Sequence, residues 1–222
     1  MIKKISILTV LIFWGLSFLP AVTINVPADF ETIQEALGNA YAGDVVLVQP
    51  GIYYENITWP NANGIKLLSA GNYDNTIIDG GDNGIVISFP FVHEFIDTAT
   101  VIRGFGIRNG KTNIGGGLFL LNSSPTLDSL KIYSNHTIGI THQSGDGAGI
   151  YMDNSSPIIT QSIIKDNYAQ WGSGGGIFGM NNSNPVIRYL EIFDNIAKYG
   201  GGGLNFEEIG RASCRERVCH RV

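Results

Sequence analysis

Short apolar runs separated by Gly, Asn, Asp and Ser dominate the pattern of hydrophobic and polar positions along the chain. Within most runs the apolar residues recur at every second position, which is typical of β-strands that bury one face. One early segment differs, because apolar residues recur at helical spacing from Ile33 to Ala40 after a capping box formed by Thr32 and Glu35. The pattern therefore predicts one short helix near the N-terminus and many short strands after it.

The second half of the chain repeats a unit that contains one proline. Pro125, Pro157 and Pro185 are 32 and 28 residues apart, and each unit opens on a glycine-rich run. An asparagine follows each proline by ten residues, at Asn135, Asn167 and Asn195. We expect these asparagines to occupy left-handed corners where their amides bond one another. Three short strands per unit, each with an aliphatic inward position, predict one coil of a parallel β-helix, with coils about 4.8 Å apart.

The N-terminus differs from this repeat and resembles a secretory signal. Lys3 and Lys4 precede a mostly apolar run up to Phe18, and Ala21 offers a small residue for cleavage. The run is short for a membrane span, which needs about 20 residues, although an uncleaved anchor is the alternative. We predict that residues 1–21 are a signal peptide, that the mature chain has no membrane span, and that the protein is secreted, extracellular or at the cell surface.

The C-terminus also differs from the repeat, since the sequence turns abruptly rich in Arg from Glu208 onward. The segment from Glu208 to Val218 matches the in-frame translation of a common sequencing-library adapter. A native basic tail with a Cys pair is the alternative. We therefore expect residues 208–222 to be artefactual, and residues 22–207 to be one β-helix domain that is truncated at its C-terminus.

Charge and cysteine content change when both predicted ends are removed. The full chain of 222 residues has a formal net charge of −5, whereas residues 22–207 hold 8 Lys or Arg against 17 Asp or Glu, which gives −9, and no Cys. Such an acidic domain lacks the basic footprint of a nucleic-acid binder. We expect a monomer that has no disulfide and does not bind nucleic acid.

The start of the domain resembles the opening of pectin lyase-like right-handed parallel β-helix proteins. The matching motifs are PADFETIQEA from Pro27, AGDVVLV from Ala42 and PGIYYE from Pro50, and the later glycine and Ser-Ser-Pro units are similar to the β-helix repeats of large secreted bacterial proteins. The resemblance covers residues 24–206. It implies an all-β right-handed parallel β-helix, or solenoid, whose N-terminal capping α-helix plugs the coil. Activity stays open, because the group includes pectate lyases, pectinesterases, polygalacturonases, epimerases and surface proteins.

Two aspartates at matching positions of adjacent units form the first candidate site. Asp166 and Asp194 should lie one coil spacing apart, where paired carboxylates favour a cation or a raised pKa. Lys165 and Arg188 are the candidate bases near them. The alternative is that aspartate only fills the corner before the asparagine, as Ser134 does one unit earlier. We expect no cofactor, except that the resemblance implies calcium if the protein is a lyase.

A second acidic cluster is a candidate metal site that consists of Asp74, Asp79 and Asp82. Its spacing does not match a recognised calcium loop, and Asp beside Gly is ordinary turn chemistry. The histidines of the domain show no metal-ligand spacing, and we expect them in solvated loops: His93, His136 and His142.

An aromatic residue lies two positions after each glycine run, on the face opposite the aliphatic ladder: Phe119, Tyr151 and Phe178. If this face is exposed, the rings form a stripe that contacts carbohydrate, flanked by Trp171 or Tyr199; the alternative is that the rings cover one another. We predict a non-catalytic protein that contacts polysaccharide or cell-surface glycan. The alternative is a pectate lyase, polygalacturonase or pectinesterase type of enzyme whose site is incomplete or absent in this chain.

Overall fold

The structure is a computed structural model that describes residues 20–90, 95–139 and 145–207 and the backbone of residues 219–220. The chain winds as a parallel β-helix whose strands form sheets of twelve, six and four strands. All strand pairs between coils are parallel. The predicted fold class, an all-β right-handed parallel β-helix, is therefore confirmed.

The strands are short and follow one another closely along the chain. In chain order they are β1 (Thr23–Val26), β2 (Val45–Val48), β3 (Gly51–Tyr54), β4 (Ile57–Thr58), β5 (Lys66–Ser69), β6 (Thr76–Asp79), β7 (Ile87–Phe89), β8 (Val101–Arg103), β9 (Gly106–Arg108), β10 (Lys111–Thr112), β11 (Leu118–Leu121), β12 (Thr126–Asp128), β13 (Lys131–Tyr133), β14 (His136–Thr137), β15 (Ile150–Asp153), β16 (Ile158–Lys165), β17 (Tyr168–Ala169), β18 (Ile177–Met180), β19 (Val186–Phe193), β20 (Ile196–Ala197), β21 (Leu204–Phe206) and β22 (Cys219–His220).

Each coil crosses the twelve-stranded sheet, which we call the large sheet, in two arms. Strand β12 pairs with the first half of β16, and β13 pairs with its second half. A residue with positive φ separates the arms in successive coils, at Ser129, Gln161 and Tyr189. The predicted three strands per coil are found in the coils β15–β17 and β18–β20. In the coil before them the strand that follows the proline is divided at this left-handed residue into β12 and β13.

Aliphatic side chains fill the inside of the coil in columns. Leu118 pairs with Ile150, and Ile150 pairs with Ile177, and all three side chains are fully buried. The positions after each proline behave in the same way, since Ile159 lies between Leu127 and Ile187 in register. Because each strand alternates inward and outward residues, this packing fixes which side chains reach the exterior.

Helix α1 (Ile33–Gly38) covers the N-terminal end of the coil. Its first turn is held twice, because Thr32 Oγ1 accepts a hydrogen bond from the Glu35 amide, and the Glu55 carboxylate accepts from the amides of Ile33 and Gln34 at 2.9 Å each. The predicted helix is confirmed, although it ends before Ala40 because Gly38 has low helix propensity.

Several sequence predictions fall outside the described residues. These include residues 1–19 of the predicted signal peptide, residues 208–218 and 221–222 of the predicted artefactual tail, and the histidines His93 and His142. Among the residues that the structure describes, no helix has the length and apolar character needed to cross a membrane.

Candidate functional site

Asp166 and Asp194 occupy a structural corner of the coil. Both have a left-handed backbone, with φ of 54° and 52°, and Ser134 has the same geometry at 54°. The Lys165 ammonium pairs with Asp166 at 2.7 Å. This geometry fits the alternative in which aspartate fills the corner before the asparagine, because short polar residues tolerate left-handed backbone. A catalytic role for the pair stays a prediction.

Arg188 is not brought to these aspartates. It lies opposite Thr160 on the first arm of the large sheet, whereas Lys165 lies opposite Phe193 on the second arm. The bend at Tyr189 separates the two positions along the strand. The four candidate residues therefore do not converge on one point.

The second acidic cluster is divided between two ion pairs. Asp79 pairs with Arg108 at 2.7 Å and Asp74 pairs with Lys131 at 2.9 Å, while Asp82 is exposed on the next turn. Burial acts to raise the pKa of Asp79, but hydrogen bonds from the Gly81 amide, Arg108 and the Asn109 amide group together hold that pKa below its usual value. Within the described ranges, no group of three His, Cys, Asp or Glu side chains could hold a metal ion.

The aromatic residues that follow the glycine runs cover one another. The ring of Tyr151 stacks on Phe119 at 5.3 Å and on Phe178 at 5.5 Å between centroids. Only 8% of Tyr151 and 2% of Phe178 is exposed, and burial raises the pKa of Tyr151 to about 12. Two of the three rings thus lie out of reach of a carbohydrate in this conformation, which matches the alternative stated for them.

Exposed rings lie instead on the outer side of the four-stranded sheet and its adjoining turns. We call this surface the aromatic face; its members are Tyr168, Trp171, Ile196, Lys198 and Tyr199. The exposed fractions are 41% for Tyr168, 37% for Trp171 and 54% for Tyr199. Aromatic side chains that remain this exposed are candidates for binding, because burying them would be favourable.

The coils hold the aromatic face in a fixed arrangement. Tyr168 pairs in register with His136 and with Ile196, and its ring stacks on the His136 ring at 5.0 Å. The Lys198 ammonium lies 3.0 Å from the centroid of Trp171 and 5.5 Å from that of Tyr199, so one cation contacts both rings. The turns and the sheet are thereby connected into one surface.

His136, which was predicted in a solvated loop, lies instead half-buried in strand β14 and contributes a neutral imidazole to this surface. Burial lowers the pKa of His136, and the nearby charge of Lys111 lowers it further, although Asp82 and Gln170 act in the opposite direction. A neutral imidazole has one donor and one acceptor nitrogen. Its Nε2 is buried without a hydrogen-bond partner, so His136 supports Tyr168 by stacking and does not offer a bond to a ligand.

The sequence does not reveal the aromatic face as a unit. The predicted aromatic stripe consists of the residue two positions after each glycine run, whereas Tyr168 and Ile196 come one position after the asparagines of the corner. Trp171 and Tyr199 lie in the stretch where the length of the unit varies, and they were predicted only as residues that flank the aromatic stripe. The available signal was the alternation after the buried asparagine, which places the next residue outside.

The chain is similar to known proteins of the β-helix fold. Residues 49–208 match the family model described as right handed beta helix region. Three solved structures are similar at low identity. A pectin methylesterase mutant in complex with hexasaccharide IV has a TM-score of 0.44 and 13% sequence identity, and the match covers 82% of this chain and 70% of that chain. A pectin methylesterase in complex with hexasaccharide VII (TM-score 0.40, 11% identity) and the pectin methylesterase PemA from Erwinia chrysanthemi (TM-score 0.38, 10% identity) each match over 78% of this chain and 65% of that chain. No curated protein matches the chain.

Proposed function

Since this chain belongs to the right-handed β-helix family, we propose that it is a secreted or cell-surface protein that contacts polysaccharide through the aromatic face without transforming it. The observation that carries the proposal is the group of exposed rings on one side of a rigid coil, namely Tyr168, Trp171 and Tyr199. The β-helix supplies the rigidity, because each ring is attached to a segment that is hydrogen-bonded to its neighbouring coils.

The chemistry of this face suits a sugar chain. Tyr and Trp combine an apolar ring face with a polar edge, and a pyranose combines an apolar C–H face with hydroxyl groups at its rim. Gln170 and Lys198 lie among the rings and can bond to such hydroxyls. The face therefore offers both kinds of contact that a sugar needs.

The charged groups of the large sheet support a non-catalytic role. Four cations are each held by a carboxylate: Arg103 by Asp128, Arg108 by Asp79, Lys131 by Asp74 and Lys165 by Asp166. The bond to Asp79 raises the pKa of Arg108, and the bond to Asp74 raises the pKa of Lys131. A general base works best with a pKa near the operating pH, so these partners disfavour both cations as bases.

Affinity electrophoresis in gels that contain a soluble polysaccharide tests the aromatic face. The panel is hydroxyethyl cellulose, xyloglucan, galactomannan and polygalacturonate. Each ring contributes about 1 kcal/mol, so we expect the double variant Tyr168→Ala/Trp171→Ala to bind at least about tenfold more weakly than the unchanged protein.

The matched control is Tyr41→Ala, because Tyr41 is also exposed but lies beside the N-terminal cap. It should be retarded like the unchanged protein. If the double variant is folded, as judged by circular dichroism, and is retarded normally, the aromatic face is not the binding surface.

A further inference from the structure

A cleft opens at the bend of the large sheet, apart from the aromatic face. It has a volume of about 380 Å³, which falls in the usual range of ligand pockets, about 300–1,000 Å³. Its walls come from the loop between β5 and β6 and from the bends of the next two coils. Its polar lining includes Ser69, Asn72, Tyr73, Asp74, Arg103 and Ser129.

The loop between β5 and β6 makes this cleft, because it is longer than the equivalent connections. Residues 70–75 join the two arms here, whereas residues 104–105 suffice in the next coil. The loop is fixed by its own side chains, since the Asn72 amide donates to Asn75 Oδ1 at 2.8 Å, and the Asp74 amide donates to Asn72 Oδ1 at 2.9 Å. The wall of the cleft is therefore formed in advance of any ligand, which lowers the cost of binding.

The charges around the cleft balance. Arg103 pairs with Asp128 at 2.7 Å, and Asp74 pairs with Lys131 at 2.9 Å. Two cations and two carboxylates leave no surplus charge for an anionic or a cationic ligand. Both lining members of these pairs are nevertheless accessible, because 56% of the Arg103 side chain and 64% of the Asp74 side chain is exposed.

Charged groups in such pairs retain hydrogen-bonding capacity toward neutral hydroxyls. A guanidinium has five N–H donors and a carboxylate has about four lone-pair sites, and each ion pair uses only part of them. Bonds between an ionised group and a neutral partner are about twice as strong as neutral ones. A ligand with several adjacent hydroxyls and no charge therefore matches this lining better than a carboxylate or an amine does.

We infer that this cleft binds one uncharged pyranose residue of a glycan, whose hydroxyls donate to the Asp74 carboxylate and accept from the Arg103 guanidinium. Tyr73 supplies the aromatic wall and Asn72 and Ser129 the neutral polar groups. The inference goes beyond the aromatic face, because it assigns a second site with its own ligand class on another side of the coil.

Backbone amide NMR titration with short sugars tests this site. The probes are the neutral hexasaccharides of β-1,4-linked glucose, xylose and mannose, and hexagalacturonate as the charged counterpart. We expect at least one neutral hexasaccharide to shift the amides of residues 69–74 and 103–104, and we expect hexagalacturonate to bind there at least about tenfold more weakly.

Variants locate the effect and keep the two sites distinguishable. Arg103→Gln and Asp74→Asn should each weaken binding at residues 69–74 by about tenfold, whereas Arg188→Gln, which removes an exposed cation elsewhere on the large sheet, should leave it unchanged. Tyr168→Ala/Trp171→Ala should leave the cleft shifts intact, so a failed aromatic face and a failed cleft give different spectra.

Three results would overturn the cleft proposal. The first is that no neutral hexasaccharide shifts residues 69–74. The second is that hexagalacturonate binds there as tightly as the neutral sugars. The third is that both Arg103→Gln and Asp74→Asn, folded as judged by their amide spectra, keep the affinity of the unchanged protein.

Discussion

The buried asparagines show how one residue type connects successive coils. The side-chain nitrogen of Asn167 lies 2.9 Å from Asn195 Oδ1 and 3.0 Å from the Ile132 carbonyl, and its oxygen accepts from the backbone and side chain of Asn135. Amides can donate and accept at once, so the ladder satisfies polar groups that the corner would otherwise bury unpaired. The sequence predicted that these amides bond one another, and the structure confirms it. The predicted left-handed backbone at the asparagines is wrong, because the positive φ falls on the residue before each of them, at Ser134, Asp166 and Asp194.

Asp79 illustrates the opposite case, a residue whose environment the sequence does not reveal. Asp79 was predicted to cluster with Asp74 and Asp82 because all three are close in sequence. In the structure its partner is Arg108, which is 29 residues away along the chain and one coil away in space. Side-chain contacts between adjacent coils depend on which residues are paired in register. The spacing of residues that are close in sequence does not contain this information.

Asp79→Asn should change the pH dependence of stability. The folded-state pKa of Asp79 lies below the unfolded value of about 3.9, so its stabilisation is complete above that value and is lost as pH falls through the folded pKa. We expect the variant to lose about 2 kcal/mol of unfolding free energy at pH 7, and we expect this difference to shrink below about pH 4. Urea denaturation at several pH values measures it.

The control for this prediction is Asp82→Asn. Asp82 is exposed and has a left-handed backbone that asparagine also tolerates, so the substitution should leave the stability curve nearly unchanged. Parallel stability curves for Asp79→Asn and the unchanged protein down to the most acidic pH would contradict the role assigned to the ion pair.

At the scale of the element, the glycine runs meet two separate requirements. The first glycine has a positive φ in three of the runs, with 64° at Gly115, 63° at Gly147 and 62° at Gly174. The last glycine, such as Gly149, does not need that conformation. A Cβ there would instead collide with the Gly176 carbonyl oxygen of the next coil. This close approach between coils becomes evident only from the stacked structure.

Gly149→Ala and Gly38→Ala form a matched pair that tests this distinction. The first substitution overpacks a fixed backbone contact and should lower the free energy of unfolding by about 3 kcal/mol. The second introduces a Cβ at the end of α1, where no atom lies within 4 Å, and should leave stability unchanged or raise it by up to about 1 kcal/mol. Equal effects in urea denaturation would contradict the contact.

At the scale of the whole molecule, the repeat determines the inside of the coil better than its outside. Similar apolar side chains stack at the inward positions of successive coils, so their columns could be predicted from periodicity. The clustering of Trp171 with Tyr199 depends on turns whose length varies from unit to unit. For the same reason the cleft beside Asp74 was not predictable, since it exists because one connection is longer than its equivalents.

The central claim is that this β-helix binds a polysaccharide without transforming it. The most direct measurement combines binding and product analysis on the same samples, with each polysaccharide of the panel, in the presence and absence of calcium. Affinity electrophoresis reports binding, and assays for new reducing ends, released methanol and unsaturated products report turnover. We predict retardation by at least one polysaccharide with no product above the blank. Product formation that Asp166→Ala abolishes, or the absence of retardation by every polysaccharide, would contradict the claim.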